Sequence, residues 1–274
     1  MSGGLAEAVF TAFDVETTGL IPGVDRMVEI GAVSFRPDGV IGRYERLVDP
    51  EMPMPAGARE INGISDEMLA GKPKIGEVLP EFFRFLDGSF PVAHNAPFDV
   101  GFVCAAAALH GLQAPDTPVF DTRGLAEAAF PRRGSYSLAA LKRAFSIGSV
   151  TSHRALADAD ACRELFLLCL GQLAGRGVED ADEISRLSGF PLSMVSRPPA
   201  DVARIAELSA PLEAGRTVEI TYVSGSGEET LRRITPISFC TLGGAPAVEA
   251  FCHLRQEKRT FRVSSIKRVT PAQP

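Results

Sequence analysis

Apolar positions in the first 175 residues recur at two intervals, and each interval predicts a different kind of element. Runs of apolar and β-branched residues predict three consecutive strands at Ala8 to Val15, Met27 to Phe35 and Val40 to Val48. Shorter strands are expected at Phe90 to Ala93 and Pro118 to Phe120. Helical spacing predicts helices at Ile75 to Leu86, Pro97 to about His110, Tyr136 to Phe145 and Ala155 to Leu173. This order indicates an α/β domain with a mixed sheet flanked by helices.

The pattern changes after Leu173. Between Glu179 and Leu212, prolines at 191, 198, 199 and 211 interrupt the apolar spacing and predict short helices. Within this segment Glu183 to Arg197 resembles a helix-turn-helix unit, although Pro198-Pro199 would end its second helix early. A helical linker or docking segment is the alternative, and the prolines favour it.

From Arg216 onward the pattern predicts only strands. They are expected at Thr217 to Val223, Thr230 to Ile237, Ala247 to His253 and Phe261 to Val269. Such strands form a small all-β barrel or a curled sheet. The chain is therefore expected to contain an α/β domain at residues 1–175, a helical linker at 176–212 and a β domain at 213–274.

Composition excludes several classes of protein. The 274 residues are 45% hydrophobic and 23% charged, which is typical of a globular protein and not of a disordered one. No secretory signal or membrane-spanning run is visible, and five scattered cysteines fit reduced thiols, so a cytoplasmic location is expected. The net charge is -6, but 9 Lys/Arg against 6 Asp/Glu from Glu213 onward make the last domain mildly basic. An acidic body with a basic end suits a carboxylate metal site joined to an anion-binding domain.

Three short patches place acidic residues and histidines where a buried core would not need them. Asp14 and Glu16 are two positions apart on a strand, so they share a face and repel each other unless a cation bridges them. The other patches are His94-Asn95-Ala96-Pro97-Phe98-Asp99 and His153-Arg154-Ala155-Leu156-Ala157-Asp158. Taken singly, each has an ordinary explanation: a solvent-exposed strand end, a capped helix, or a loop histidine beside a capping acid.

Taken together, the order Asp-x-Glu, His-Asn-x-x-Phe-Asp and His-x4-Asp resembles the DEDDh (DnaQ-like) family of 3′–5′ exonucleases. This family includes the proofreading subunit of bacterial DNA polymerase III. Two further stretches match it, Ile61-Asn62-Gly63-Ile64-Ser65-Asp66 and Tyr136-Ser137-Leu138-Ala139-Ala140-Leu141. The resemblance covers about Ala8 to Leu173 and implies an RNase H-like fold with the acids at one edge of the sheet.

The resemblance also assigns roles to residues. It implies that four acids bind metal and act in catalysis (Asp14, Glu16, Asp99 and Asp158) and that His153 is the general base. Four carboxylates suit two divalent cations, Mg²⁺ or Mn²⁺, and a loop histidine titrates near neutral pH as a base should. Contacts with the substrate 3′ end are implied for Thr17, Thr18, Gly19, Leu20, His94, Asn95 and Phe98. Arg132, Arg133 and Arg154 are candidates for backbone contacts, with simple surface solvation as the alternative.

The β-rich end resembles a WYL-type module, a small SH3-like barrel. The matching stretches are Ile220-Thr221-Tyr222, Arg233-Ile234-Thr235-Pro236, Glu249-Ala250-Phe251 and Thr260-Phe261-Arg262-Val263, followed by Ile266. The sequence departs from the module where Ala247-Val248-Glu249 replaces the Trp-Tyr-Leu of its name. The resemblance implies nucleic-acid or nucleotide binding, with Arg232, Arg233, Arg255 and Arg262 as candidate phosphate contacts. A packing or homodimerising barrel is the alternative.

Three functions follow from these observations. The first is a metal-dependent 3′–5′ exonuclease that releases nucleoside 5′-monophosphates from DNA in repair or proofreading, with a separate polymerase or repair partner. The second is an exoribonuclease that trims RNA ends or short oligoribonucleotides. The third is a binding regulator in which the nuclease body is a scaffold. Four mutually repelling acids argue against the third, because a scaffold has no use for them.

Overall fold

The computed structural model describes residues 5, 7–148, 154–189, 193, 200–225, 227–242 and 245–272 of the chain. It contains two compact units. The first consists of Met1–Leu20 and Asp25–Ser196, and the second of Ile21–Val24 and Arg197–Pro274. The domain limits at 175 and 212 remain predictions. The first unit extends past residue 175, and Ile184 belongs to one of its hydrophobic cores.

The first unit is built on a five-stranded mixed sheet of order β3-β2-β1-β4-β5. β1, β2 and β3 are antiparallel neighbours, whereas β4 and β5 run parallel to β1. The strands are β1 (Phe10–Thr17), β2 (Met27–Arg36), β3 (Gly39–Leu47), β4 (Phe90–Ala93) and β5 (Phe120–Asp121). The helices are α1 (Ala56–Asn62), α2 (Asp66–Leu69), α3 (Ile75–Leu86), α4 (Pro97–Leu109), α5 (Thr122–Ala129), α6 (Leu138–Phe145), α7 (Ala155–Ala174) and α8 (Ala181–Leu187). The mixed α/β class predicted from the sequence is confirmed.

Alternation along β1 divides the apolar residues of this unit between two cores. Phe10 and Ala12 belong to the core that contains Phe166 of α7, and Phe13 belongs to the core that contains Phe82 of α3. This division follows from the pleat, which sends successive side chains to opposite faces of a sheet. The sheet is therefore covered on both faces, and residues 14 and 16 follow Phe10 and Ala12 on the α7 face.

The second unit is an antiparallel sheet of order β10-β6-β7-β8-β9 beside one helix. Its elements are α9 (Ala200–Glu213), β6 (Val218–Val223), β7 (Glu229–Leu242), β8 (Ala245–Cys252), β9 (Glu257–Arg262), a 3₁₀ turn (Val263–Ser265) and β10 (Ile266–Pro271). Leu208 of α9 packs against Val218, Ile234 and Val248 of the sheet in one core. The all-β prediction for the end of the chain is confirmed as a five-stranded sheet.

Several predicted boundaries were wrong, each for a local reason. The single strand predicted at Phe261 to Val269 is two strands, because the 3₁₀ turn separates β9, which pairs with β8, from β10, which pairs with β6. Pro211 does not end a helix, since it lies in the last turn of α9, where a missing N–H costs one hydrogen bond. Helices α1, α2 and α5 were not predicted. The second helix of the helix-turn-helix interpretation falls largely outside the described residues.

No helix in the described part of the chain is both long enough and apolar enough to cross a membrane.

Candidate active site

Two of the predicted acids lie together near the end of β1, as their spacing requires. Asp14 and Glu16 are half-buried, whereas Val15 and Thr17 between and after them are buried. The pairing of β1 with β2 shifts register between Glu16 and Thr17. Such an irregularity bends a strand and changes the direction of the side chains beside it. The two carboxylates therefore project from one face at the point where β1 leaves the sheet.

Asp158 reaches the same place because α7 packs very closely on the sheet. A Cβ added to Gly31, which lies opposite Asp14 on β2, would stand 2.1 Å from the backbone nitrogen of Leu156. Only glycine permits this approach. The ligand oxygens of Asp14, Glu16 and Asp158 lie within 4.8 Å of one another. Three carboxylates at this separation form an arrangement that a cation could bridge.

Asp99 enters the site from the first turn of α4. Its Oδ1 accepts a hydrogen bond of 3.0 Å from the backbone N–H of Val15, the residue between the two acids of β1. The side chain is buried. The structure thus brings all four predicted acids to one end of β1, with Asp99 tied to the strand itself.

The electrostatics of these acids show how unfavourable their joint ionisation is. Burial, followed by the charges of Asp99, Glu16 and Asp158, raises the pKa of Asp14 well above its ordinary value. Burial, with Asp158 and Glu29 nearby, raises the pKa of Glu16 to about 7. Burial raises the pKa of Asp99 to about 8, although the Val15 N–H opposes this. A divalent cation would offset both the burial of these carboxylates and the repulsion between them. Donor sets made only of oxygen atoms suit Mg²⁺ or Mn²⁺. The donor set therefore fits a divalent metal.

A lysine that sequence reasoning missed lies beside these acids. Lys142 of α6 is buried, and its Nζ donates to Asp158 Oδ1 at 2.7 Å. The available signal was its place directly after the matching stretch that ends at Leu141. Lys142 and Asp158 therefore form a buried ion pair within the site.

Arg154 is held by a buried acid of β2, which the sequence patterns did not identify either. Its Nε and Nη2 donate to the carboxylate of Glu29, and Glu29 is fully buried. The other two arginines named as backbone contacts, Arg132 and Arg133, line an open cavity of about 900 Å³ together with Arg176.

The turn after β1 is fixed by its own hydroxyl groups. Thr17 Oγ1 donates to the carbonyl of Gly19 at 2.6 Å, and Thr18 Oγ1 accepts from the backbone N–H of Arg26 at 2.9 Å. Asn62, which lies in a matching stretch but had no predicted role, donates to the carbonyl of Thr17 at 3.3 Å. Both hydroxyl groups thus form hydrogen bonds within the protein. Leu20, in contrast, is exposed to solvent over 70% of its surface.

The residues of the second patch support the same edge of the sheet. His94 Nδ1 lies 2.9 Å from Thr122 Oγ1, and Nε2 lies 2.9 Å from the carbonyl oxygen of Tyr136. Burial lowers the pKa of His94, so the neutral ring with a proton on Nε2 fits both contacts. Asn95 adopts a left-handed backbone conformation, and its N–H donates to Asp121. Phe98 packs its ring against Phe102.

His153, predicted as the general base, lies outside the described residues. The residue that follows it, Arg154, is described and immediately precedes α7.

Carboxylates gathered at the end of a central strand, in a mixed sheet of this order, define a metal-dependent phosphodiester hydrolase of the exonuclease class. The model of the family described as "Exonuclease" matches residues 11–166, and that of the WYL domain matches residues 204–271. The chain belongs to the family of DnaQ-like 3′–5′ exonucleases and carries a WYL domain at its end. Members of this family use divalent metals.

Known proteins that are similar to this chain agree with its assignment to the exonuclease family. DNA polymerase III subunit epsilon of Treponema pallidum is 44% identical over 159 residues, which are 57% of this chain and 74% of that protein. The PolC-type DNA polymerase III of Halalkalibacterium halodurans is 38% identical over 179 residues. This match covers 65% of the chain but 12% of the polymerase.

Solved structures show the same fold. Exonuclease X in complex with 5′ overhanging duplex DNA is 26% identical, with a TM-score of 0.52 over 66% of this chain and 99% of that one. E. coli exonuclease I in complex with a dT13 oligonucleotide has a TM-score of 0.56 at 15% identity. The latter covers 97% of this chain and 66% of that chain, and it supports the fold alone.

Proposed function

We propose that this protein degrades DNA from its 3′ end by hydrolysing the terminal phosphodiester bond and releasing nucleoside 5′-monophosphates. The observation that carries the proposal is the group of three carboxylates, Asp14, Glu16 and Asp158, within 4.8 Å on an exonuclease fold. DNA is favoured over RNA because the similar proteins include a DNA polymerase III subunit, a PolC-type DNA polymerase III and an exonuclease in complex with duplex DNA.

Each acid has a proposed role in holding two divalent cations, Mg²⁺ or Mn²⁺. Asp14, Glu16 and Asp158 supply oxygens from β1 and α7, and Asp99 supplies them from α4. When bound, a pair of such cations supplies charge stabilisation to the attacking and leaving oxygens of an in-line displacement. Lys142 is proposed to orient Asp158 through the hydrogen bond from its Nζ to Asp158 Oδ1.

Proton transfer and substrate positioning fall to other residues. His153 is proposed to take a proton from the attacking water, on the strength of the family resemblance and its place five residues before Asp158. The exposed side chain of Leu20 is proposed to pack against the terminal base. His94 and Asn95 are proposed to support the site through their contacts with Tyr136 and Asp121.

The WYL domain is proposed to bind the nucleic-acid backbone. Arg233, Arg255 and Arg262 are exposed, and among the described residues none of the three takes part in an ion pair. Arg232 is half-buried and donates to Thr230. Proofreading would require a separate polymerase partner, as the similarity to the epsilon subunit suggests, and a cytoplasmic location fits such a role.

The proposal is tested with 3′-labelled single-stranded DNA, duplex DNA, mismatched duplex and RNA, each with Mg²⁺, Mn²⁺ or EDTA. We expect the native chain to release nucleoside 5′-monophosphates from DNA only when metal is present. The Asp14→Asn variant should release none. His153→Ala should reduce the rate by roughly 10²–10⁴ while Mn²⁺ affinity is kept, as expected for loss of a general base. Digestion of RNA alone would replace the proposal by an exoribonuclease. Equal loss of Mn²⁺ affinity in His153→Ala would contradict the role of that histidine.

A further inference from the structure

We propose that Glu29 and Arg154, which lie outside the set of four metal-binding acids, act together as positioning residues that fix the start of α7 and thereby place Asp158. The inference rests on the proposed function of Asp158 as a metal ligand.

Glu29 is saturated with hydrogen bonds from the start of α7. Its carboxylate accepts from Arg154 Nε at 3.0 Å to each oxygen and from Arg154 Nη2 at 2.5 Å. Its Oε2 also accepts from the backbone N–H of Ala155 at 2.9 Å. A side chain of β2 therefore binds both the side chain before α7 and the first N–H of the helix.

This arrangement supplies a helix cap from a distant strand. Arg154 occupies the N-cap position of α7, and it makes no capping hydrogen bond with its own side chain. The first N–H groups of a helix need acceptors from outside the helix, and a carboxylate there is favoured by the helix dipole. Glu29 meets this need across 126 residues of sequence.

The effect extends to Asp158 through the backbone. The N–H of Asp158 donates to the carbonyl of Arg154 at 3.1 Å, so Arg154 is the residue on which the first turn of α7 closes. Two residues further along β2, on the same face as Glu29, Gly31 lets α7 approach the strand. The position of Asp158 relative to β1 thus depends on where Glu29 holds Arg154.

The negative charge of Glu29 makes its ion pair with Arg154 necessary. Glu29 lies directly opposite Glu16 in the pairing of β2 with β1, so the two carboxylates share a face. Glu29 is fully buried, and a buried charge without a partner is strongly destabilising. Arg154 neutralises Glu29 beside the metal-binding acids while leaving Glu16 available to a cation. Glu29 is not among the group of acids whose oxygens converge.

The experiment separates positioning from stability in the full chain. The variants are Glu29→Gln, Arg154→Met and the double variant, with Arg163→Gln as a matched control, since Arg163 pairs with Asp160 on another face of α7. Measurements are kcat and KM on single-stranded DNA, Mn²⁺ affinity by calorimetry, and Tm in EDTA. Arg154→Met leaves a buried carboxylate unpaired, whereas the double variant removes the unpaired charge.

We expect both single variants to lower kcat by about 10- to 100-fold with KM changed less than about 3-fold, and to weaken Mn²⁺ binding by about 10-fold or more. The double variant should recover Tm relative to Arg154→Met but should not recover kcat or Mn²⁺ affinity. Recovery of kcat in step with Tm would show a purely stabilising role and overturn the inference. So would native Mn²⁺ affinity in all three variants, a result that counts even if the native chain digests no nucleic acid and the proposed function fails.

Discussion

Three of the acids, Asp14, Glu16 and Asp99, predict an unusual pH dependence of stability for the metal-free protein. Glu16 has a pKa raised from 4.5 to about 7, and Asp99 has a pKa raised from 3.8 to about 8. At a pH between the ordinary pKa of each acid and its raised pKa in the folded state, the folded chain holds a proton that the unfolded chain has released. The folded state therefore binds more protons, and the free energy of unfolding falls as the pH rises towards the folded pKa.

The size of the effect follows from these pKa values. Between about pH 6.5 and 8.5 the free energy of unfolding should fall by about 1 kcal/mol from Glu16 and by about 2 kcal/mol from Asp99. Asp14 changes in the same direction, because burial raises its pKa as well. The lowered pKa of His94 acts oppositely, so that stability rises as the pH passes the unfolded value of 6.5. Starting at about pH 6.5 leaves only about 0.4 kcal/mol of this opposing contribution in the window.

Urea unfolding in EDTA at several pH values in this window measures the fall directly. Saturating Mn²⁺ should remove it, because the cation takes the place of the protons and binds more tightly as the acids ionise. Asp99→Asn should reduce the fall by about 2 kcal/mol, since an amide does not titrate. A stability in EDTA that stays level or rises from about pH 6.5 to 8.5 would refute the reasoning, as would an undiminished fall in Asp99→Asn.

Three substitutions test other parts of the site. Leu20→Ala should raise KM for single-stranded DNA several-fold while Tm, measured by calorimetry, stays native, because the side chain is exposed; an unchanged KM would contradict the proposed base contact. Gly31→Ala should destabilise the protein by more than about 3 kcal/mol in urea, because its methyl group would overlap the backbone of Leu156; native stability would disprove the close packing of α7. Lys142→Met should cost about 3 kcal/mol in EDTA by removing the buried ammonium that donates to Asp158, and Mn²⁺ should restore most of this; equal losses in both buffers would contradict it.

Local patterns in the sequence were sufficient for most elements of the fold. Helix α3 and strand β4 have the predicted limits, Ile75–Leu86 and Phe90–Ala93. Helix α5 was missed because it follows a strand of two residues directly, with Asp121 both ending β5 and capping the helix. Such a short strand leaves no alternation for a pattern to detect.

The residues of the candidate site also fall into those that sequence motifs predicted and those that they missed. The acids were found because their motifs occur in one order, although each motif alone had an ordinary explanation. Glu29 and Lys142 were missed because their roles depend on partners 125 and 16 residues away, and no spacing rule connects them. The signal that could have found Glu29 is that it is the single charged residue in the run from Met27 to Phe35.

The charged edge strands of the second unit bear on whether two copies of the protein can pair edge to edge. An open sheet offers unpaired N–H and C=O groups along its outermost strands, and these can recruit a strand from another molecule. Here β9 and β10 are outermost, and they carry exposed basic side chains: Lys258, Arg259, Arg262, Lys267 and Arg268. Two such edges from separate copies would repel each other when brought together, which disfavours growth of a continuous intermolecular sheet. The same side chains would favour a polyanion alongside, in keeping with the proposed contact of this unit with the nucleic-acid backbone.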